Sequence, residues 1–282
     1  MSGMLYLVPT PIGNLGDISV RCRETLENAD FIAAEDTRVT LKLLNHLGIK
    51  KSLVSYYEHN KATQGGKIVE RILAGETCAL VSDAGSPAIS DPGEDLVKQC
   101  AAAGIPVCAI PGPCAAITAL SSSGQATGRF CFEGFLSTAK KSRREHLDAL
   151  KKEQRTMIFY EAPHKLLTTL TDMAEVFGGD RPISLCRELT KLHEEVVRTT
   201  LGQAVTRYTQ SPPKGEFVLI VAGAPAEKQA LPSETDAAAR VSQLIAQGIS
   251  RKDAIKQTAK ELGLPKNVVY DIALRDSDSE DN

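Results

Sequence analysis

The chain has 282 residues, of which 42% are hydrophobic and 24% are charged, and its formal net charge is −2. This length favours two compact domains, or one large α/β domain with an appendage, and the apolar fraction excludes a mainly disordered chain. No apolar run reaches the roughly 18 residues of a membrane span, and no secretory signal opens the chain, so we expect a cytoplasmic protein. The near-zero net charge means that any nucleic acid must be bound by a local basic patch.

The seven cysteines are scattered through apolar contexts, and no two of them form a C-x-x-C pair. We therefore expect reduced and mostly buried thiols. No cluster of His, Cys and carboxylate residues has the spacing of metal ligands, so the sequence predicts no metal site.

Short apolar runs alternate with helix-length amphipathic segments through the first 225 residues. The first series of predicted strands is Leu5–Val8, Phe31–Ala34, Leu53–Tyr56, Cys78–Val81 and Val107–Ile110. The second series is Phe130–Phe135, Thr156–Tyr160, Ile183–Arg187, Val196–Leu201 and Phe217–Ala222. Such alternation implies crossover connections and largely parallel, covered sheets. The predicted fold class is α/β, with two α/β lobes over residues 1–120 and 121–225.

A third region, residues 226–282, is predicted to be helical with an acidic tail. The composition of residues 223–228 predicts a linker where this region begins. Ser250 and Asp253 form a capping box, Gly263 is a typical C-cap residue, and Pro265 is expected to open the next helix. The spacing is that of a helix-turn-helix. It is explained either by a helical tail packed on the protein or by a nucleic-acid-binding element.

The usual signatures of dinucleotide, P-loop, zinc-protease and α/β-hydrolase sites are missing from the sequence. Instead, three loops dense in Gly, Pro and Ser follow predicted strands, at residues 9–17, 82–93 and 111–116. Ligands of open α/β sheets bind at the carboxyl ends of the strands, where small residues let the backbone approach closely. Each loop taken alone is equally well explained as ordinary turn sequence, but the three together predict a small-molecule site.

The order of the sequence motifs resembles that of a known protein family. PTPIGNLGD, AAEDTR, LVSDAGSPAISDPG, IPGPCAA, FEGFL, FYEAPHKL and KGEFVLIVAG run in that order from about residue 4 to residue 223. This pattern resembles S-adenosylmethionine-dependent methyltransferases with the tetrapyrrole-methylase fold, and among them the branch that methylates small-subunit ribosomal RNA. The resemblance implies two α/β lobes of the tetrapyrrole methylase type with the cofactor cleft between them, usually in a homodimer. It also implies 2′-O-methylation of a cytidine in 16S ribosomal RNA within the 30S subunit.

The same resemblance assigns the cofactor to the loops and to the second lobe. Ser86 replaces the Asp of the tetrapyrrole enzymes, and Cys114 stands where the RNA branch usually has Ser, which exchanges a hydroxyl for a weaker thiol donor. Ala115 and Ala116 offer N–H groups at a helix start, suited to the methionyl carboxylate. The implied cofactor-binding residues are Pro11, Asp83, Ala84, Gly85, Ser86, Pro87, Ala88, Ile89, Pro111, Cys114, Ala115, Ala116, Tyr160, Cys186 and Phe217.

A ribose hydroxyl is a poor nucleophile, so a base or an alkoxide-stabilising cation is expected near it. The catalytic candidates are Glu35, Asp36 and Arg38 after a predicted strand, and Glu161, with His164 nearby, in the YEAPH motif. Asp83, which opens the second loop, is a third candidate. The first cluster is also explained as a structural ion pair in which Asp36 caps the helix starting near Thr37.

The densest positive charge predicts the RNA contact. Its residues are Lys140, Lys141, Arg143 and Arg144, and on one helix Lys140, Arg144 and Lys151 would align. A solvated helix face explains the same pattern. Tyr56 and Tyr57 form a second candidate surface, where an aromatic ring could stack on an extruded base, although Tyr56 fits equally well in the core.

Three other functions remain open from the residues. The same fold could methylate a porphyrinoid carbon, which Ser86 and the basic segment disfavour. Cys114 with His164 could form a hydrolase pair. A non-catalytic protein could instead bind RNA through the C-terminal helices.

Overall fold

The computed structural model describes residues 3–225 and 234–279. The chain divides into two compact units, with the boundary between Ala224 and Pro225. Within the described ranges, no helix is both long and apolar enough to cross a membrane.

The first unit opens with a five-stranded sheet that is parallel throughout. Its strands are β1 (Leu5–Leu7), β2 (Phe31–Ala34), β3 (Ser52–Ser55), β4 (Cys78–Val81) and β5 (Val107–Ala109), in the spatial order β3-β2-β4-β1-β5. The connecting helices are α1 (Val20–Asn28), α2 (Thr37–Leu47), α3 (Lys61–Leu73) and α4 (Glu94–Ala102), and a 3₁₀ turn covers Leu15–Asp17. The predicted strands and the parallel arrangement are confirmed for this sheet.

The central strands of this sheet are buried on both faces, because helices cover both. Phe31 and Ala33 pack in the cluster that includes Ile68 of α3, whereas Ile32 and Ala34 pack in the cluster that includes Leu44 of α2. This explains why β2 reads as an unbroken apolar run in the sequence.

The second sheet is mixed. Its strands are β6 (Phe130–Phe135), β7 (Thr156–Glu161), β8 (Pro182–Arg187), β9 (Glu195–Thr200) and β10 (Phe217–Val221), in the order β6-β7-β10-β8-β9. Only β6 and β7 pair in parallel, so the prediction of a largely parallel sheet is wrong here. Residues 188–194 are too few for a crossover and turn the chain directly back, and β10 lies between β7 and β8 and runs opposite to both.

Helices cover both faces of the second sheet, and one of them comes from the first half of the chain. One face packs against α6 (Lys140–Ala149), α7 (Pro163–Phe177) and α8 (Leu201–Gln210). The opposite face packs against α5 (Ala115–Ser123), whose Ala116, Ala119 and Leu120 share a cluster with Ile158 and Ile220.

The predicted lobe boundary at residue 120 therefore falls inside α5. The segment Ser121–Ser123 is the last turn of that helix: its hydroxyls donate to carbonyls three or four residues earlier. Gly124 ends the helix in the left-handed conformation, with φ of 78°. The chain thus passes from one sheet to the other through a packed helix.

The C-terminal unit contains α9 (Glu234–Ala246), α10 (Arg251–Leu262) and α11 (Lys266–Ser279) around a small apolar core. The Ser250 hydroxyl accepts the Asp253 N–H at 3.2 Å, and Gly263 has φ of 63°, so both predicted caps are confirmed. Pro265 directly precedes α11. The predicted linker residues 226–228 lie outside the described residues, as does the end of the acidic tail.

All seven cysteines are free thiols, which agrees with the sequence prediction. Cys22, Cys78, Cys100 and Cys186 are buried, and the other three are half-buried. Burial raises the pKa of the Cys78 thiol to about 12, which makes it chemically inert at neutral pH.

Candidate active site

The loops singled out in the sequence meet at one edge of the parallel sheet. In the order β2-β4-β1-β5, each strand is the neighbour of the next, and the chain leaves all four at their carboxyl ends. The loop at residues 35–36 follows β2, and the three loops rich in Gly, Pro and Ser follow β4, β1 and β5. Such an edge is where open α/β sheets bind ligands.

Hydrogen bonds tie these loops into one surface. Thr10 and Gly85 exchange two backbone N–H···O bonds of 2.9 Å, and the Thr10 hydroxyl donates to the Ser82 carbonyl at 3.1 Å. The Ser86 hydroxyl donates to the Pro113 carbonyl at 3.0 Å, which fixes the second loop to the third. Gly85 has φ of 84°, a conformation that glycine adopts without penalty.

The second loop holds strained backbone. Ala88 and Ser90 both have φ of 66°, in the left-handed region, although each carries a Cβ. Such residues cost roughly 1–3 kcal/mol each, persist only where the surroundings fix them, and cluster at ligand clamps.

Between the loops and the second sheet lies a cavity of about 350 Å³, within the range of roughly 300–1,000 Å³ typical of small-molecule sites. The sequence-implied cofactor residues on its wall are Asp83, Ala84, Gly85, Ser86, Ile89, Cys114, Ala115, Tyr160, Cys186 and Phe217. The implied residues that do not line it are Pro11, Pro87, Ala88, Pro111 and Ala116.

The second lobe supplies an apolar wall. Cys186, Leu189, Phe217 and Val218 line the cavity and are each less than a tenth exposed. Among them stands Tyr160, whose pKa burial raises to about 12, so the phenol keeps its proton.

The Tyr160 hydroxyl accepts the Ala116 N–H at 3.1 Å. This bond corrects the expectation that the Ala116 N–H is available to a ligand carboxylate, because its partner is already a protein side chain. Cys114 occupies the N-cap position of α5 without a side-chain cap bond and faces the cavity instead.

The first lobe supplies acidic groups. Glu35, Asp83 and Asp91 all line the cavity, and the Asp83 N–H donates to the Glu35 carboxylate at 3.4 Å. Burial raises the pKa of Glu35, and the neighbouring Asp91 raises it further; burial also raises the pKa of Asp91. The described residues hold no group of three or more His, Cys, Asp or Glu side chains suited to a metal ion.

Asp36 and Arg38 form the structural pair that the sequence allowed. Arg38 Nε and Nη2 donate to the Asp36 carboxylate at 3.0 and 2.6 Å, and the Arg38 N–H donates to it at 2.8 Å, which caps α2. The hydrogen bond from the Arg38 side chain lowers the pKa of Asp36 to about 2. Neither side chain lines the cavity: Asp36 caps α2 and Arg38 pairs with it, whereas Glu35 faces the site.

Glu161 reaches the cavity wall with its carboxylate already engaged. It is 4% exposed and accepts the Ala162 N–H at 2.8 Å and the Thr169 hydroxyl at 2.5 Å. His164 lies in a separate depression beside Arg143, and the structure records no hydrogen bond between His164 and Cys114. The arrangement does not form the Cys–His pair of a hydrolase.

The basic segment divides into buried and exposed cations. Arg143 is 7% exposed; its Nε donates to Asp172 at 2.7 Å and its Nη1 to the Ser137 carbonyl at 3.1 Å. Arg144 pairs with Asp172 and Glu175. The predicted RNA-binding role of Arg143 is wrong, because its buried guanidinium group holds α6 to α7. Arg144 is 38% exposed, and its RNA-binding role stays a prediction. Lys140 and Lys141 are exposed, and Lys151 lies beyond the end of α6, so the predicted stripe is not formed.

Several residues on the cavity wall were missed in the sequence, among them Asp91, Phe135 and Lys191. Asp91 lies in the second loop, whose strained turns were not visible in the sequence. Phe135 ends β6 within the FEGFL motif, where the Gly134 that interrupts the strand pattern was the available signal. No feature of the sequence identified Lys191, which pairs with Glu188 and Glu216.

The family model described as Tetrapyrrole (Corrin/Porphyrin) Methylases matches residues 4–205, and the chain belongs to that family. Solved structures of the same fold include a uroporphyrin-III-C-methyltransferase from Thermus thermophilus, 19% identical, with a TM-score of 0.55 over 77% of this chain and 94% of that one. Another is a diphthine synthase, 13% identical, with a TM-score of 0.59 over 78% of this chain and 90% of that one. A further Thermus thermophilus uroporphyrin-III C-methyltransferase, 15% identical, with a TM-score of 0.55 over 78% and 97%, is complexed with S-adenosyl homocysteine.

Within this class, relatives of higher sequence identity point to one family. A Synechocystis protein named ribosomal RNA small subunit methyltransferase I is 49% identical over 96% of this chain and 98% of its own length. The Bacillus subtilis protein of the same name is 47% identical over 95% and 93%. A model described as the RsmI C-terminal HTH domain matches residues 232–277. The chain is therefore a member of the ribosomal RNA small subunit methyltransferase I family.

Proposed function

We propose that this protein transfers a methyl group from S-adenosylmethionine to the ribose 2′-oxygen of a cytidine in 16S ribosomal RNA. Relatives at 47–49% identity over nearly the whole chain carry the name of a small-subunit ribosomal RNA methyltransferase. The single observation that carries the reaction is the cavity in which Glu35, with a raised pKa, faces an apolar wall. In this proposal the protein acts in the cytoplasm, as a homodimer, on RNA within the 30S subunit.

The cavity fits the proposed cofactor. Its apolar wall at Cys186 and Val218 suits an adenine ring, and the joined loops at Gly85 and Ala115 present backbone at close range. The carboxylate of Asp91 on the cavity wall complements a sulfonium cation. When bound, S-adenosylmethionine supplies an electrophilic methyl group, and no metal ion is needed for that chemistry.

Glu35 is the proposed general base. Its raised pKa moves it toward the working pH, where a carboxylate accepts a hydroxyl proton most effectively. The alternatives fit less well: the pKa of Asp36 is about 2, and the carboxylate of Glu161 already accepts two hydrogen bonds. Asp83 donates its N–H to Glu35 and thereby orients the carboxylate.

The RNA backbone is proposed to lie across the exposed start of α6. Lys140 and Lys141 remain as surface cations there, and Lys141 is only loosely associated with Glu145, at 3.9 Å. Such contacts hold phosphates without reading sequence.

The test is methyl transfer from labelled S-adenosylmethionine to undermethylated 30S subunits, compared with free ribosomal RNA and with uroporphyrinogen. We expect label on the 30S subunit, and nuclease mapping should place it on a cytidine 2′-oxygen. Label on a base would overturn the proposed 2′-O specificity, and label on uroporphyrinogen alone would replace RNA with a porphyrinoid substrate.

A further inference from the structure

Phe135 lines the cavity and is 59% exposed, more than any other Phe or Tyr ring in the described residues. A single exposed apolar side chain is ordinary on a protein surface. What distinguishes Phe135 is the irregular backbone that brings it to the cavity.

A β-bulge determines the direction of this side chain. From Phe130 to Phe132 the strand β6 pairs regularly with β7, and then Glu133 is skipped, so that Phe135 comes opposite Tyr160. Without the extra residue, Gly134 would be opposite Tyr160 and Phe135 would be opposite Glu161. Successive residues of a strand face opposite sides, so the bulge moves Phe135 from the face covered by helices to the face of the cavity. Bulges next to active sites commonly re-aim a side chain in this way.

The bulge has its own sequence requirement. Gly134 has φ of 64°, a left-handed conformation that a residue with a Cβ adopts only with strain. A Cβ built on Gly134 would lie 3.5 Å from the Ser90 hydroxyl, so the bulge sits directly against the second loop.

The ring is also held in place from behind. Phe135 packs edge-on against Tyr160, with ring centroids 5.5 Å apart and planes at 63°. Tyr160 in turn packs against Phe132 at 5.1 Å and is fixed by the N–H of Ala116. A ring supported in this way loses little conformational freedom when a ligand covers it.

We propose that Phe135 is the platform on which the base of the target nucleotide stacks. This inference rests on the proposed function, because a nucleotide whose 2′-hydroxyl meets Glu35 brings its base to the same cavity, on whose wall Phe135 lies. Extruded bases are held by stacking on aromatic side chains. The buried wall at Cys186 and Val218 is the place for the cofactor's adenine, whereas Phe135 is exposed at the side from which RNA arrives. Of the sequence candidates for stacking, Tyr56 is buried in the core and Tyr57 does not line the cavity.

The test compares Phe135→Ala, Phe135→Leu and Phe135→Tyr with the wild-type protein. Equilibrium dialysis measures S-adenosylmethionine binding, and initial rates on undermethylated 30S subunits give kcat/KM. Stacking on an aromatic ring predicts that Phe135→Ala and Phe135→Leu lower kcat/KM about five- to a hundredfold, that Phe135→Tyr stays near wild type, and that all three bind the cofactor normally.

Phe130→Ala is the matched control, since Phe130 lies on the same strand, is 39% exposed and does not line the cavity. It should leave kcat/KM unchanged. Wild-type rates in Phe135→Ala, or full activity in Phe135→Leu, would overturn the stacking role. Loss of cofactor affinity in Phe135→Ala would place the ring against the cofactor instead. A wild-type protein that transfers no methyl to ribose would refute the proposed function itself, independently of these variants.

Discussion

The two walls of the cavity are built in different ways. The first-lobe wall consists of loops after four neighbouring parallel strands, joined by backbone hydrogen bonds and carrying the carboxylates. The second-lobe wall consists of apolar and aromatic side chains on one face of a mixed sheet. Loops can place polar groups where a reaction needs them, whereas the side chains of a sheet face form a surface that fits a ligand. We therefore expect substitutions in the first wall to change the rate of methyl transfer, and substitutions in the second wall to change affinity.

The largest effect is expected at Glu35. Glu35→Gln removes the proposed base while keeping its size, so the single-turnover rate should fall about 10²- to 10⁴-fold. Cofactor affinity, measured by equilibrium dialysis, should stay within about twofold of wild type. A rate near that of wild type would exclude Glu35 as the base and would weaken the division between the two walls.

The same variant has a pH-dependent effect on stability. The folded-state pKa of Glu35 is raised above its unfolded-state pKa. The stability that this difference contributes is therefore present below the unfolded-state pKa and is lost as the pH rises through the folded-state pKa. Gln resembles the protonated form. Thermal melts from about pH 4 to about pH 8 should show Glu35→Gln as stable as wild type in acid and more stable near neutrality. A variant that melts lower at neutral pH would contradict this.

The next largest effect is expected at Arg143 in the second lobe, and it is on the free energy of unfolding. Arg143→Ala removes the buried partner of Asp172, both side chains being less than a tenth exposed, and leaves only the longer contact of Asp172 with Arg144 at 3.4 Å. Urea unfolding should therefore show a loss of about 3 kcal/mol. Lys141→Ala, on the exposed face of the same helix, should change stability by less than about 0.5 kcal/mol. If Arg143→Ala were fully stable but failed to bind 30S subunits, Arg143 would belong to the RNA surface after all.

A smaller effect is expected at Tyr160, whose hydroxyl joins the two walls of the cavity by accepting the Ala116 N–H. Tyr160→Phe removes the acceptor of the Ala116 N–H and should lower the free energy of unfolding by about 1–3 kcal/mol. Cofactor affinity should fall more than the rate at saturation. Tyr208→Phe is the matched control, because the buried Tyr208 hydroxyl has no hydrogen-bond partner and its removal should not destabilise the protein. A reduced rate with normal affinity would place Tyr160 functionally with the first wall.

The smallest effect is expected at Asp36. Asn at an N-cap position still accepts the backbone N–H, so Asp36→Asn should keep α2 capped, and its melting temperature and methyl-transfer rate should stay close to wild type. A loss of activity comparable to that of Glu35→Gln would show that the Asp36–Arg38 pair acts in the reaction.

The sequence anticipated the first wall well, because its signals are local. The five strands of the parallel sheet, the loops after β1, β4 and β5, and the Asp36 cap all follow from residues close together in the chain. Parallel order then brings the loops to one edge without further information.

The second wall depended on partners that are distant in sequence. The position of β10 between β7 and β8 is not encoded in the alternation of strands and helices. Arg143 looked like its basic neighbours, and only its packing against Asp172, 29 residues away, removes it from the surface. The direction of Phe135 depends on a single skipped residue, which inverts an otherwise regular alternation.

The position of α5 determines whether the two halves of the first unit can fold separately. This helix begins at the third loop of the parallel sheet, yet its buried Ala119 and Leu120 complete the core of the other sheet. A polypeptide ending at residue 120 would carry a truncated helix with its apolar side uncovered, and one starting there would lack the cover of its own sheet. The two halves should therefore unfold in a single cooperative transition, and fragments divided at residue 120 should be insoluble when produced separately.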